Sequence, residues 1–220
     1  MRKVVLILIG PPGSGKGTQA GLILQEHKMK YLSVGEMLRR EISKETAFGK
    51  KIKKYVNAGL LVAGGLVADL VINTIDASKK SIILDGFPRK ISQARKLEKY
   101  LLEKNTKNIV VEIALNSQKE ILQRISGRRY CEAGHLYHLK YNPPKVAGIC
   151  DICGRELKIR ADANPEVIKK RLAIYRAETK PLIDYYKKKK QFYSYHKVDG
   201  NQPIESVYKD LRKKLNAELK

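Results

Sequence analysis

Nine residues near the N-terminus, Gly10-Pro11-Pro12-Gly13-Ser14-Gly15-Lys16-Gly17-Thr18, have the types and spacing that hold phosphate. Glycines let the backbone bend until its N–H groups point at phosphate oxygens. A helix that starts directly afterwards adds the positive end of its dipole. Lys16 is then a mobile charge for β- and γ-phosphates. The flanks fit this reading, with an apolar run over 4–9 ahead of the loop and a helical pattern near 16–27 behind it. In the common form of the motif a Ser or Thr follows the lysine and binds magnesium. Here Gly17 takes that place and Thr18 comes next.

A second segment, Leu84-Asp85-Gly86-Phe87-Pro88-Arg89, follows another short apolar run. In an open parallel sheet, ligands bind beyond the carboxyl ends of the strands, so this loop belongs beside the first. Asp85 could hold magnesium through water and Arg89 could grip a phosphate; the alternative is an Asp-Gly turn with a surface arginine. Further arginines stand at 124, 128, 129, 160 and 171. Phosphoryl transfer needs positioning and positive charge more than covalent chemistry, and planar, permanently charged guanidinium groups suit it. Any one of these arginines alone reads equally well as a solvated helix residue. The three cysteines, Cys131, Cys150 and Cys153, crowd into one short region. That is no disulfide framework, and clustering of this kind suggests metal.

The elements that must position these residues follow from periodicity. Strands are expected over 3–9, 30–33, 81–84, 108–114 and 192–197. Helices are expected near 16–27, 34–43, 48–57, 64–77, 90–104, 117–126, 164–188 and 203–218. Alternation of this kind predicts a parallel sheet with helices on both faces. Residues 127–163 break it, holding all three cysteines, Pro143-Pro144 and little apolar content. A unit that poor in core needs a staple. No apolar stretch is long enough to cross a membrane. The net charge of +23 leaves two readings, a binder of nucleic acid or an enzyme for polyanionic nucleotides. Much of the excess is scattered lysine, as in Lys187-Lys188-Lys189-Lys190, which reads as a solvated face, so no specific nucleic-acid function is expected.

The displaced Thr18, the Asp85–Arg89 loop and Gln93 together resemble the adenylate kinase family of nucleoside monophosphate kinases. Ser33-Val34-Gly35-Glu36-Met37-Leu38-Arg39, Ala58-Gly59-Leu60-Leu61-Val62, Tyr137-His138 and Tyr141-Asn142-Pro143-Pro144 extend the resemblance along nearly the whole chain. It implies an α/β P-loop fold in three layers, with a five-stranded parallel sheet. The core would span 1–32, 63–126 and 164–220, the acceptor flap 33–62, and a small zinc-ribbon-like lid 127–163. The implied reaction is ATP + AMP to 2 ADP with Mg2+.

Residue by residue, the resemblance places ATP on Gly13, Ser14, Gly15, Lys16, Gly17, Thr18, Arg128, Tyr137 and Gln202. AMP would lie on Val34, Arg39, Leu60, Leu61, Val62, Gly86, Phe87, Pro88, Arg89, Gln93, Arg160 and Arg171. Lys16, Arg39, Arg89, Arg128, Arg160 and Arg171 would act on the phosphates, and Asp85 would hold Mg2+ through water. Family lids often carry two Cys-x2-Cys pairs around a structural zinc. Here Cys150-x2-Cys153 is intact, while Cys131-Glu132-Ala133-Gly134-His135 is one residue short. Cys131, His135, Cys150 and Cys153 are then the implied Zn2+ ligands, against a metal-free lid held by hydrogen bonds. Partners would be nucleotides alone, and the enzyme a cytoplasmic monomer away from membranes.

Three positions depart from the pattern: Val34 replaces a Thr near the acceptor base, and Gly64 and Ala163 replace acidic residues. Val34 keeps a pyrimidine monophosphate kinase open as an alternative, whereas Gln93 favours adenine; a kinase that uses GTP as donor is the other alternative within the class. An RNA-binding P-loop protein remains as the alternative from another class.

Overall fold

The computed structural model describes residues 2–62, 65–159 and 163–219. The first strand, β1 (Val4–Ile9), runs into the Gly-rich loop and α1 (Lys16–Glu26). There follow β2 (Lys30–Ser33), α2 (Val34–Ser43), α3 (Ala47–Asn57), α4 (Leu66–Asp76), β3 (Ile82–Asp85), α5 (Ile91–Glu103), β4 (Lys107–Ala114) and α6 (Gln118–Ser126). A short hairpin comes next, β5 (Arg128–Tyr130) and β6 (Leu136–His138), and then α7 (Pro165–Ile174), α8 (Pro181–Lys188), β7 (Ser194–Asp199) and α9 (Ile204–Leu215).

The main sheet has the order β2-β3-β1-β4-β7 with every pairing parallel. Its central strands are apolar throughout because both faces are covered. Leu6 and Leu8 of β1 point to the face closed by Ala20 and Ile23 of α1 and by Val207 and Leu211 of α9. Val5, Ile7 and Ile9 point the other way, onto Val71 and Ile75 of α4, Leu97 and Leu101 of α5, and Leu182 and Tyr186 of α8. Each such side chain contributes about 1.5–3 kcal/mol by leaving water. The helices α2 and α3 join this second core through Leu38 and Ile52. At the start of α3, the Thr46 hydroxyl accepts from the Gly49 N–H at 2.9 Å.

The expected three-layer α/β architecture with a five-stranded parallel sheet is therefore present. One expectation changes. The pattern over 164–188 reads as a single helix, whereas the structure interrupts it with a π-helical turn at Tyr175–Thr179. Pro181 explains the break, since it has no N–H and its ring crowds the carbonyl four residues earlier. The turn widens instead, and the Lys180 N–H donates five residues back to the Tyr175 carbonyl at 2.8 Å. The last strand also starts and ends two residues later than its apolar pattern suggests.

The cysteine-bearing unit is built on the antiparallel hairpin β5–β6, with a bridge from Tyr130 to Lys158 and another from Ile149 to Glu156. Its apolar cluster is four residues, Cys131, Tyr137, Cys150 and Leu157.

Candidate active site

Central β1 pairs with β3 on one side and β4 on the other, so the chain reverses its winding direction there. Beyond the carboxyl ends of these strands lies one cavity of about 1050 Å³. Residues 13–18 form its floor. Gly13 and Gly15 hold φ of 86° and 93°, left-handed values that side chains other than glycine rarely adopt. This backbone is what aims the loop N–H groups at a common centre. The Lys16 ammonium curls over the loop and donates to the carbonyls of Gly10 and Pro11, each at 2.9 Å, and to the Ser14 hydroxyl at 3.3 Å. Burial lowers the Lys16 pKa to about 8; Asp85 opposes the shift, while Arg128, Arg89 and Arg171 reinforce it.

Asp85 ends β3 and lines the same cavity. Its Oδ2 accepts a hydrogen bond from the Tyr31 hydroxyl at 2.8 Å. Gly86 turns the chain, the Phe87–Pro88 peptide is cis, and the Arg89 Nε donates back to the Gly86 carbonyl at 2.9 Å. The Arg89 N–H donates to Gln93 Oε1 at 2.8 Å. That bond fixes the Gln93 amide and leaves its NH2 as a donor for an acceptor atom such as a ring nitrogen. Thr179, held in place by the π-helical turn, donates its hydroxyl to the Arg89 carbonyl at 3.0 Å.

Adjoining the main cavity is a second space of about 70 Å³. Val34, Leu60, Leu61, Val62, Phe87 and Gln93 line it, and Arg39, Gly86, Arg89 and Arg171 border both spaces. Pro88 lines the larger one. Arg128, Tyr137 and Gln202 stand on the far wall of the large cavity. The structure thus brings every expected nucleotide residue among those described to one connected space. Arg160 lies outside the described residues, as do Gly64 and Asp162.

Two residues on the wall have no site role from sequence and take a definite place here. Tyr31 reads as an ordinary strand residue until the register of β2 against β3 is known. Arg124 faces the cavity from α6, with its Nε on Glu120 Oε1 at 2.8 Å. Its place inside an arginine-rich stretch is the only signal the sequence offers.

The hairpin unit gathers Cys131, His135, Cys150 and Cys153 so that their ligand atoms all lie within 4.8 Å of one another. His135 Nδ1 is 3.3 Å from the Sγ atoms of both Cys131 and Cys150, and the Cys131 and Cys153 sulfurs are 3.7 Å apart. A disulfide is excluded, because it needs a sulfur separation of about 2.05 Å. Tetrahedral zinc bonds of about 2.3 Å to sulfur and 2.0–2.1 Å to nitrogen give edges of about 3.8 and 3.5 Å. The separations of 3.3, 3.3 and 3.7 Å lie near those edges, and the whole set, within 4.8 Å, is somewhat wider than that tetrahedron. Burial alone would keep the Cys150 thiol protonated, but the Tyr137 hydroxyl and the N–H groups of Ile152 and Cys153 outweigh it and bring its pKa to about 6. The donor set is therefore compatible with zinc, and four protein ligands leave no open position. Tyr137 has a double place: it lines the cavity, and its hydroxyl accepts from the Asp151 N–H at 2.8 Å beside Cys150.

A parallel α/β sheet that sends a glycine-rich loop and a ring of arginines into one cavity defines a P-loop nucleotide-binding protein. Comparison with known proteins narrows the class. The family model described as adenylate kinase matches residues 8–191. An adenylate kinase of Clostridium novyi (strain NT) is 42% identical over 209 residues, 94% of this chain and 95% of that one. An adenylate kinase of Thermococcus kodakarensis is 39% identical over 213 residues, 96% of this chain and 93% of its own. One from Pyrococcus furiosus is 38% identical over 213 residues, with 96% and 95% covered. The chain belongs to the adenylate kinase family.

Proposed function

We propose that this protein is an adenylate kinase that transfers the γ-phosphoryl group of ATP to AMP, reversibly, with Mg2+ bound to the nucleotide. The observation that carries the reading is the connected pair of cavities. One has a phosphate loop and a lysine at its floor. The other is a small apolar slot with a single polar amide, Gln93, and arginines at the junction.

In this reading the loop N–H groups and Lys16 hold the donor phosphates, with Arg128, Tyr137 and Gln202 on the donor side. Arg39, Arg89 and Gln93 hold AMP, Val34 and Leu60, Leu61 and Val62 enclose its base, and Arg128, Arg160 and Arg171 would stabilise the transferring group. The acceptor phosphate is already an anion, so no general base is needed. Mg2+, when bound, would neutralise charge on the phosphate oxygens, and Asp85 is the carboxylate that would hold it through water.

Residues 33–62 act as a flap over AMP and 127–163 as a lid over ATP, around the remaining core. Their closure excludes water that would otherwise hydrolyse the donor. A structural zinc on Cys131, His135, Cys150 and Cys153 keeps the lid folded. The free surface that a moving flap and lid require favours a monomer. Three thiols gathered as ligands rather than paired favour the reducing cytoplasm. Among the described residues no helix is long and apolar enough to cross a membrane.

The test is ATP consumption by the purified protein with Mg2+ against AMP, CMP, UMP and GMP. A strong preference for AMP is expected. Preference for CMP or UMP would mean that the buried Val34 marks a remodelled acceptor slot.

A further inference from the structure

The Tyr31–Asp85 contact has no part in the phosphate or base contacts above, yet it sits in the same cavity. Tyr31 lies on β2 in register with Ile83 of β3, and Ser33 is in register with Asp85. Tyr31 therefore reaches diagonally across the strand pair, the distance a long aromatic side chain spans. Its hydroxyl is 2.8 Å from Asp85 Oδ2. Burial, with Asp85 next to it, raises the Tyr31 pKa far above the ordinary phenol value, so the hydroxyl stays a donor.

The neighbouring Gly17 is matched to this pair. A Cβ built on Gly17 would stand 3.2 Å from the Tyr31 hydroxyl oxygen and 3.7 Å from Asp85 Oδ2. The place where the common loop motif carries its magnesium hydroxyl is thus occupied, in this chain, by the flank of the Tyr31–Asp85 hydrogen bond. The chemistry of the donor matters as well. A neutral phenol orients the carboxylate without cancelling its charge, as a paired lysine would. Lys16, the nearby cation that could cancel it, is held on the loop carbonyls instead.

We propose that Tyr31 is a positioning residue for the nucleotide-bound magnesium: it fixes the Asp85 carboxylate by one hydrogen bond and leaves the remaining carboxylate lone pairs for metal-bound water. The inference rests on the reading of Asp85 as the magnesium carboxylate.

The experiment measures ATP dissociation constants by calorimetry, in excess Mg2+ and in excess chelator, for the wild type, Tyr31→Phe and Asp85→Asn. The quantity of interest is the ratio of the two constants, which isolates the metal. Tyr31→Phe keeps the ring and its packing. It is expected to reduce the metal-linked gain in affinity by about tenfold, in line with the loss of a hydrogen bond to a charged group, and to leave metal-free ATP binding unchanged. Asp85→Asn should reduce the gain at least as much. If Asp85→Asn lowers the gain and Tyr31→Phe does not, Tyr31 has no positioning role, while the reading of Asp85 stands. If neither variant changes it, Asp85 is not the metal carboxylate and both ideas fall. If Tyr31→Phe weakens metal-free and metal-bound ATP equally, the tyrosine only packs the cavity wall, and the proposal is overturned.

Discussion

Lys16 should give this enzyme an alkaline limit near pH 8. An unperturbed lysine titrates near 10.4, but burial of the Lys16 ammonium brings its pKa to about 8 in the nucleotide-free protein. The sign follows from the direction of the shift. The charged form that binds phosphate is present below that value and is lost as pH rises through it. The specificity constant kcat/KM reports groups of the free enzyme. Its value for MgATP should therefore fall tenfold per pH unit above about 8 and be roughly thirtyfold lower at pH 9.5 than at pH 7. A lysine with an ordinary pKa would lose only about a tenth of its charge over that range. Bound polyphosphate places negative charge against the ammonium, so kcat at saturating nucleotide should hold to higher pH than kcat/KM. The assay is a steady-state pH series in a constant-ionic-strength buffer, run on the wild type and on Lys16→Arg. The arginine stays protonated throughout, so its profile should be flat at whatever height it retains. Arg128→Gln removes one of the cations that push the lysine down, so it should move the limit upward as well as lower the maximum. A wild-type kcat/KM that stays level to pH 9.5, or a limit that persists in Lys16→Arg, would refute the assignment.

Two further outcomes follow from the packing. Cys150→Ser, or a chelator applied to the wild type, should lower the melting temperature by several degrees and speed amide exchange over residues 128–159; unchanged behaviour in both would dispose of the metal site. Tyr195→Phe should also destabilise the fold. The Tyr195 hydroxyl donates to Glu112, a carboxylate buried in the middle of β4, and an unpaired group there costs about 1–3 kcal/mol. For a chain of this size that is a drop of several degrees in Tm, measurable by calorimetry.

What could be read from the sequence was whatever rests on local chemistry. The loop over 10–18 declares itself because glycine, lysine and a flanking apolar run answer one local demand. Asp85, Arg89 and Gln93 share one turn and one helix start, so their spacing alone implies their meeting. The crowding of three cysteines suggests metal, and the resemblance to family lids adds His135, which the structure brings to Cys131, Cys150 and Cys153. The remainder depends on register and on long-range packing. Tyr31 meets Asp85 only because β2 pairs with β3 at one particular offset. Arg124 faces the cavity only because α6 ends where the hairpin begins. The π-helical turn was within reach, since Pro181 forbids an unbroken helix, but that it would carry Thr179 to the Arg89 carbonyl was not.

The two parts of the molecule are held together by different means. The sheet is locked between two extended apolar cores, so the loop, Asp85 and Arg89 keep fixed relations to one another. The hairpin unit has only four residues in its cluster, and two of them are metal donors. A two-stranded hairpin of three-residue strands is marginal by itself, so metal ligation here would be coupled to the folding of this unit. Among the described residues, His138 and Tyr141 tie it to α6: the Tyr141 hydroxyl donates to Glu120 Oε1 at 2.7 Å and its ring lies against Arg124. His138 Nδ1 accepts from the N–H groups of Lys140 and Tyr141 at 3.0 and 3.2 Å, and its Nε2 lies 3.1 Å from the Arg124 carbonyl on α6. Neutral His138 with its proton on Nε2 satisfies all three bonds, and burial lowers its pKa in keeping with that form. Arg128 and Tyr137 sit on the hairpin itself, with Arg129 in register against Tyr137. A metal bound by Cys131, His135, Cys150 and Cys153 would stiffen the hairpin and so set the relative positions of these cavity-facing side chains.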